Sequence, residues 1–127
     1  MPITPQQLVA EAKAETWEID IATAAKHIRE GQVVIDVRES VEFETAHIHH
    51  AVHIARGVIE FKTADHPALA NRSAEIILYC KTGGRSALAA FNLQRLGYTN
   101  ILSLAGGFDA WQKHHQAIDK DTTDFGS

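Results

Sequence analysis

The 127-residue chain has a single cysteine, Cys80, so no intramolecular disulfide forms and every bridge-stapled small fold is excluded. No apolar run approaches the about 20 residues that a helix needs to cross a bilayer. Basic charge is not in excess: twelve Lys and Arg stand against sixteen Asp and Glu, for a net −4. Nucleic acids and acidic membranes favour basic surfaces, so neither is an expected partner, and any bound anion must be held by a local field. The opening Met1-Pro2-Ile3-Thr4-Pro5-Gln6-Gln7 lacks a basic stretch followed by an apolar one, so it does not read as a signal peptide; the expected location is cytoplasmic. The chain shows neither an internal repeat nor a low-complexity linker.

What is present describes an ordinary globular domain. Hydrophobic residues at 45% and charged residues at 22% argue against disorder, and the length suits one domain that needs no metal merely to fold. Thr4-Pro5 before Leu8, Val9, Ala12 and Ala14 reads as a capped helix over about residues 5–15. A second helix follows Asp20, with Ile21, Ala24, Ala25 and Ile28 on one face and Gly31 at its end. Val33-Val34-Ile35, Ile76-Ile77-Leu78-Tyr79 and Ile101-Leu102-Ser103-Leu104 are short, continuous apolar runs, as expected of parallel strands covered on both faces. Ala51-Val52-His53-Ile54 is a weaker strand. Ser86–Leu96, closed by Gly97, is a largely buried helix, and a last helix follows Gly106-Gly107 over about 108–115. The polar tail over about 119–127 has no period and reads as frayed. Alternating strands and helices imply a three-layer α/β fold with a mainly parallel sheet of about five strands.

Cys80 stands at the carboxyl end of a central strand, where open α/β sheets bind ligands. It leads into Lys81-Thr82-Gly83-Gly84-Arg85 and then a helix. The glycines allow positive φ, so the loop can curl and aim backbone N–H groups inward. Such a nest at a helix N-terminus attracts anions and also stabilises a thiolate. Free cysteines are often inert core residues, but the glycine pair and the cations Lys81 and Arg85 favour a reactive thiol here.

Cys80-Lys81-Thr82-Gly83-Gly84-Arg85-Ser86 resembles the active-site loop of the rhodanese-like sulfurtransferases. The resemblance extends in order through Asp36-Val37-Arg38-Glu39, Glu42-Phe43, Ala46-His47-Ile48, Arg56-Gly57 and Gly106-Gly107-Phe108-Asp109-Ala110-Trp111, spanning about residues 17–115. It implies a chemistry in which Cys80 takes the sulfane sulfur of thiosulfate or a similar donor, carries it as a persulfide and passes it to cyanide or a thiol, which need not be a small molecule but can belong to a sulfur-accepting protein. No metal or organic cofactor is implied. By the same resemblance Lys81, Thr82, Gly83, Gly84 and Arg85 bind substrate, Arg85 doing so through its charge unless it pairs with a surface carboxylate. Arg56 sits at the pocket rim. Asp36 and Arg38 brace the loop rather than act as a catalytic pair, and Trp111 packs in the core. The chain has Ala46 and His50 where the family usually has glycine, and Ala55 where it has proline.

Four residues separate Cys80 from Arg85, fewer than in related phosphatases. By the same resemblance, the shorter loop favours sulfur transfer over an oxyanion-processing phosphatase or arsenate reductase. The same loop could also serve a persulfide carrier or a non-catalytic binding module, and the retained cysteine counts against the second. His47, His49, His50 and His53 raise the question of a metal site, but no carboxylate or thiol at suitable spacing completes one. The oligomeric state is not legible.

Overall fold

A computed structural model of the chain describes residues 1–120. Its elements are α1 (Pro5–Glu15), β1 (Trp17–Ile19), α2 (Ile21–Arg29), β2 (Val33–Asp36), α3 (Ser40–Thr45), β3 (Ala46–Ile48), β4 (Val52–His53), α4 (Ile59–Lys62), a 3-10 turn at Pro67–Leu69, β5 (Ile76–Tyr79), α5 (Gly84–Arg95), β6 (Ile101–Leu104), α6 (Gly107–Lys113) and β7 (Ile118–Lys120). Five of the strands form one parallel sheet in the order β1-β6-β5-β2-β4. The architecture is the α/β fold expected from the alternating pattern, and each apolar run lies in that sheet. Among the described residues no helix is long and apolar enough to cross a membrane.

The strand period of two sorts side chains between two cores. Ile76, Leu78 and Cys80 face α5, together with Ile35, Ala89, Ala90, Leu93 and Ile101. Ile77 and Tyr79 face α2 and α6, where Val34, Ala24, Ile28, Phe108 and Trp111 pack. Both faces of β5 are therefore covered, which explains why its sequence is continuously apolar. The register Asp36↔Tyr79 brings the ends of β2 and β5 level, so that Asp36 and Cys80 emerge at the same edge of the sheet.

Helix α1 begins with reciprocal caps: the Gln7 N–H donates to Thr4 Oγ1 at 3.1 Å, and the Thr4 N–H donates to Gln7 Oε1 at 2.8 Å. It lies along α5, with Val9 Cγ2 3.5 Å from the position a Cβ at Gly84 would occupy. At α2, Asp20 accepts the Thr23 N–H at 2.8 Å, and Gly31 ends the helical segment with φ +96°.

Two short strands escaped the sequence reading, β1 and β3, and the tail needs a correction. Asp119 and Lys120 are not frayed: Ile118–Lys120 pair antiparallel with Ala46–Ile48. Ile118 packs against the α2/α6 core, and Asp119 lies 3.0 Å from His49 Nδ1 and 3.5 Å from His47 Nε2. A strand of three residues is too short to show a period. The rest of the expected tail lies outside the described residues. His50, at a position where the resemblance led us to expect glycine, adopts a left-handed φ of +76°.

Candidate active site

Strand β5 delivers Cys80 to the sheet edge, and Gly83, at φ +116°, turns the chain back toward it. The Gly83 N–H then donates to Cys80 Sγ at 3.1 Å, and the Ser86 N–H does so at 3.4 Å. The Ser86 hydroxyl lies 3.6 Å from the same sulfur. The N–H groups of Thr82, Gly84 and Arg85 bond to no other described residue. They are available to a ligand at the positive end of the twelve-residue α5. Cys80 itself keeps only 1% of its exposure, so its sulfur is screened from bulk water.

A second pair of glycines holds this loop from behind. The N–H groups of Phe108 and Asp109, at the start of α6, donate to the Cys80 carbonyl at 2.8 Å and the Lys81 carbonyl at 3.1 Å. Fixing those carbonyls outward helps keep the following N–H groups inward. The approach needs Gly107: a Cβ there would lie 2.5 Å from the Cys80 carbonyl oxygen and 2.6 Å from Lys81 backbone atoms.

Charges around the loop are matched in pairs. Arg85 reaches Glu42 of α3 through two hydrogen bonds, at 2.8 and 3.1 Å. These bonds outweigh burial and lower the Glu42 carboxyl from 4.5 to about 2, while the same pair raises Arg85. Lys81 Nζ meets the Asp109 carboxylate at 2.9 and 3.1 Å on the exposed side. Asp36, fully buried, accepts Arg38 Nε at 3.0 Å, Arg38 Nη2 at 2.7 Å and the Arg38 backbone N–H at 2.9 Å. Burial opposes the Arg38 charge, but Asp36 more than compensates and raises it. The Arg38 guanidinium lies 4.4 Å above the centre of the Phe108 ring and donates to the Ala46 carbonyl at 2.6 Å. Beside the loop opens a cavity of about 400 Å³, lined by Arg38, Glu42, Ala46, Lys81, Phe108 and Asp109 among others.

The structure thus brings Cys80, Gly83 and Gly84 together, while the Lys81 and Thr82 side chains stay outside the cradle. The Arg85 guanidinium is turned to the Glu42 carboxylate. Arg56 donates its backbone N–H to the Val37 carbonyl at 3.0 Å, and its side chain joins no ion pair among the described residues. Asp36 and Arg38 lock each other and β3, a bracing geometry. Trp111 is buried and donates to the Ala117 carbonyl at 3.0 Å. Of the histidines, His47 and His49 share Asp119, His47 Nδ1 also contacts the Phe43 carbonyl at 2.8 Å, and His53 Nε2 contacts the Arg38 carbonyl at 2.7 Å. Sequence reasoning gave no role to Glu42, Ser86, Ser103 or Gly107. Ser103 did carry a signal, as the one polar residue in the apolar run of β6.

Comparison with known proteins places the chain in a family. The model of the Rhodanese-like domain family matches residues 20–114. The thiosulfate sulfurtransferase GlpE of Haemophilus influenzae is 30% identical over 118 residues, covering 92% of each chain. Among solved structures, a Rhodopseudomonas palustris protein of unknown function, described as a possible tyrosine phosphatase, superposes with a TM-score of 0.80 at 27% identity, covering 94% of this chain and 99% of that one. The polysulfide-sulfur transferase homodimer of Wolinella succinogenes gives 0.76 at 26% identity, over 90% of this chain and 85% of the other.

Proposed function

The chain belongs to the rhodanese-like domain family, and from that premise we propose that it is a sulfurtransferase that carries sulfur as a persulfide on Cys80. The observation that carries this reading is the convergence of the Gly83 and Ser86 N–H groups on Cys80 Sγ, with further N–H groups of the loop unbonded among the described residues. The named activities of the relatives, thiosulfate sulfurtransferase and polysulfide-sulfur transferase, support the same class of reaction.

With thiosulfate as donor, the Cys80 thiolate attacks the outer sulfur. A new S–S bond forms, the S–S bond of thiosulfate breaks, and sulfite leaves with the electron pair. The terminal persulfide sulfur carries the negative charge and accepts hydrogen bonds that the N–H groups at the start of α5 donate. A nucleophile then attacks that sulfur: cyanide leaves as thiocyanate, or a thiolate leaves as its persulfide, and the Cys80 thiolate is regenerated. The acceptor we favour is a thiol, on a small molecule or on a protein.

The solved neighbour described as a possible tyrosine phosphatase raises hydrolysis of an aryl phosphate as a second reading. The short loop and the commitment of the Arg85 guanidinium to Glu42 both disfavour it. Intact-mass analysis before and after brief thiosulfate treatment, with released sulfite assayed, separates the two. We expect a gain of one sulfur atom that cyanide removes and that Cys80→Ser lacks. No gain with thiosulfate or any other sulfane donor, together with turnover of an aryl phosphate, would overturn the sulfurtransferase reading.

A further inference from the structure

Behind Cys80, on the same face of the sheet, lies a buried hydroxyl that the persulfide reaction does not use. Ser103 of β6 is fully buried, as is Ser86, and their hydroxyl oxygens stand 2.7 Å apart. Ser86 Oγ in turn lies 3.6 Å from Cys80 Sγ and 3.3 Å from the Gly83 carbonyl oxygen. Strand parity accounts for the placement: Ile101 and Ser103 point to the α5 side, and Leu102 and Leu104 to the other. A hydroxyl in a strand with this degree of burial needs a partner, because an unpaired one costs about 1–3 kcal/mol.

Counting protons fixes the direction of the chain. Among the described residues the Ser103 hydroxyl has one partner, Ser86 Oγ, so the Ser103 proton goes there. Ser86 must then place its own proton elsewhere, and two acceptors are in reach: the Gly83 carbonyl and the Cys80 sulfur. While Cys80 is a thiol, its S–H is directed at Ser86 Oγ, and the Ser86 proton serves Gly83. Once the thiol loses its proton to solvent, the Ser86 hydroxyl turns to the sulfur. The thiolate is then met by three donors, the Gly83 N–H, the Ser86 N–H and the Ser86 O–H. No proton passes along the serines; only hydrogen bonds reorient.

We propose that Ser103 is a positioning residue for the sulfur chemistry at Cys80: its hydroxyl, by donating to Ser86, commits the Ser86 hydroxyl to the Cys80 thiolate. The importance of this for turnover rests on the sulfurtransferase reading, but the hydroxyl chain is testable without any sulfur donor.

The test is the pH titration of the ultraviolet absorbance of the Cys80 thiolate, which is unambiguous because the chain has no other cysteine. The Cys80→Ser protein is subtracted to remove tyrosine. Ser103→Ala is expected to move the midpoint up by about one pH unit, a tenfold loss of thiolate at a pH below both midpoints. Ser103→Thr, which keeps the hydroxyl, is expected to stay within about 0.3 unit of the unmodified protein. The charged groups facing the loop are Lys13 of α1, whose Nζ lies 3.7 Å from the position a Cβ at Gly83 would occupy and which pairs with Glu18, together with Lys81 and Asp109, Arg85 and Glu42, and Arg38 and Asp36; all are common to these proteins, so the difference reads the hydroxyl. An unshifted midpoint in Ser103→Ala, or equal shifts in the alanine and threonine proteins, overturns the proposal. Sulfur loading from thiosulfate, followed by intact mass in the same proteins, reports separately on the sulfurtransferase reading.

Discussion

Gly107→Ala is a direct perturbation of the idea that α6 holds the sulfur-binding loop from behind. Gly107 has φ +61°, a left-handed conformation that costs an L-residue about 1–2 kcal/mol. The added methyl would begin 2.5 Å from the Cys80 carbonyl oxygen, whereas ordinary contact starts at 3.4 Å and even tolerated contacts start at 3.0 Å. The loop or α6 must therefore move by between about 0.5 and 0.9 Å. The atoms that would move are backbone on both sides, which no rotamer change relieves. Further along the same loop, the Gly83 N–H sits 3.1 Å and the Ser86 N–H 3.4 Å from Sγ, so a displacement of that size carried along the loop breaks one or both hydrogen bonds.

Displacements near 1 Å at reacting groups cost about 100-fold in rate, so kcat/KM for sulfur transfer to cyanide is expected to fall by about 100-fold. Overpacking and strain together should lower stability by about 2–4 kcal/mol, read from urea denaturation. Gly31→Ala separates strain from displacement: φ is +96°, but nothing lies within 4 Å of the added Cβ. It should lose about 1 kcal/mol of stability and keep its activity. Activity within threefold of the unmodified protein in Gly107→Ala, or equal inactivation by Gly31→Ala, would refute the role given to α6.

Asp36→Asn leaves the nearly buried Arg38 without its charge partner, and should destabilise the domain by about 3–5 kcal/mol in denaturant titrations; a loss below about 1 kcal/mol would mean that the Phe108 ring and the Ala46 carbonyl suffice to hold Arg38. Glu42→Gln tests the pair with Arg85 through pH. Because the folded Glu42 value, about 2, lies below its ordinary 4.5, the unfolded chain binds the extra proton between them; the pair's stabilisation is full above 4.5 and is lost as pH falls toward 2. The difference in urea midpoint between the unmodified protein and Glu42→Gln should therefore shrink over that window, and a difference that is flat with pH contradicts the assignment.

Cys80 and its glycines were legible because their signal is local: a strand end, a turn that needs positive φ and a helix start are consecutive in sequence. The same is true of the parallel sheet, whose buried strands announce themselves as apolar runs. What escaped is what the fold brings together from a distance. Glu42 meets Arg85 across 43 positions and Ser86 meets Ser103 across 17, and only the sheet register makes either pair neighbours. Arg85 shows the consequence. Its place one turn into the cradle invites the reading of a cation offered to substrate, yet its guanidinium is held by Glu42. The short strands β1, β3 and β7 escaped for another reason, since three residues hold neither a period nor a core of their own.

The pairing of the loop's cations has a consequence for how the site attracts an anion. Lys81 is matched by Asp109, Arg85 by Glu42 and Lys13 of α1, which lies beside Gly83, by Glu18, so the side chains around the loop contribute little net positive charge. The surviving source of positive potential is the backbone itself, the unbonded N–H groups and the end of α5. Side-chain cations act over a distance that salt screens, whereas N–H groups act at contact and demand correct placement. That is why turnover is expected to suffer so much from a methyl group behind the loop, at Gly107, a position that bears no charge and touches no substrate.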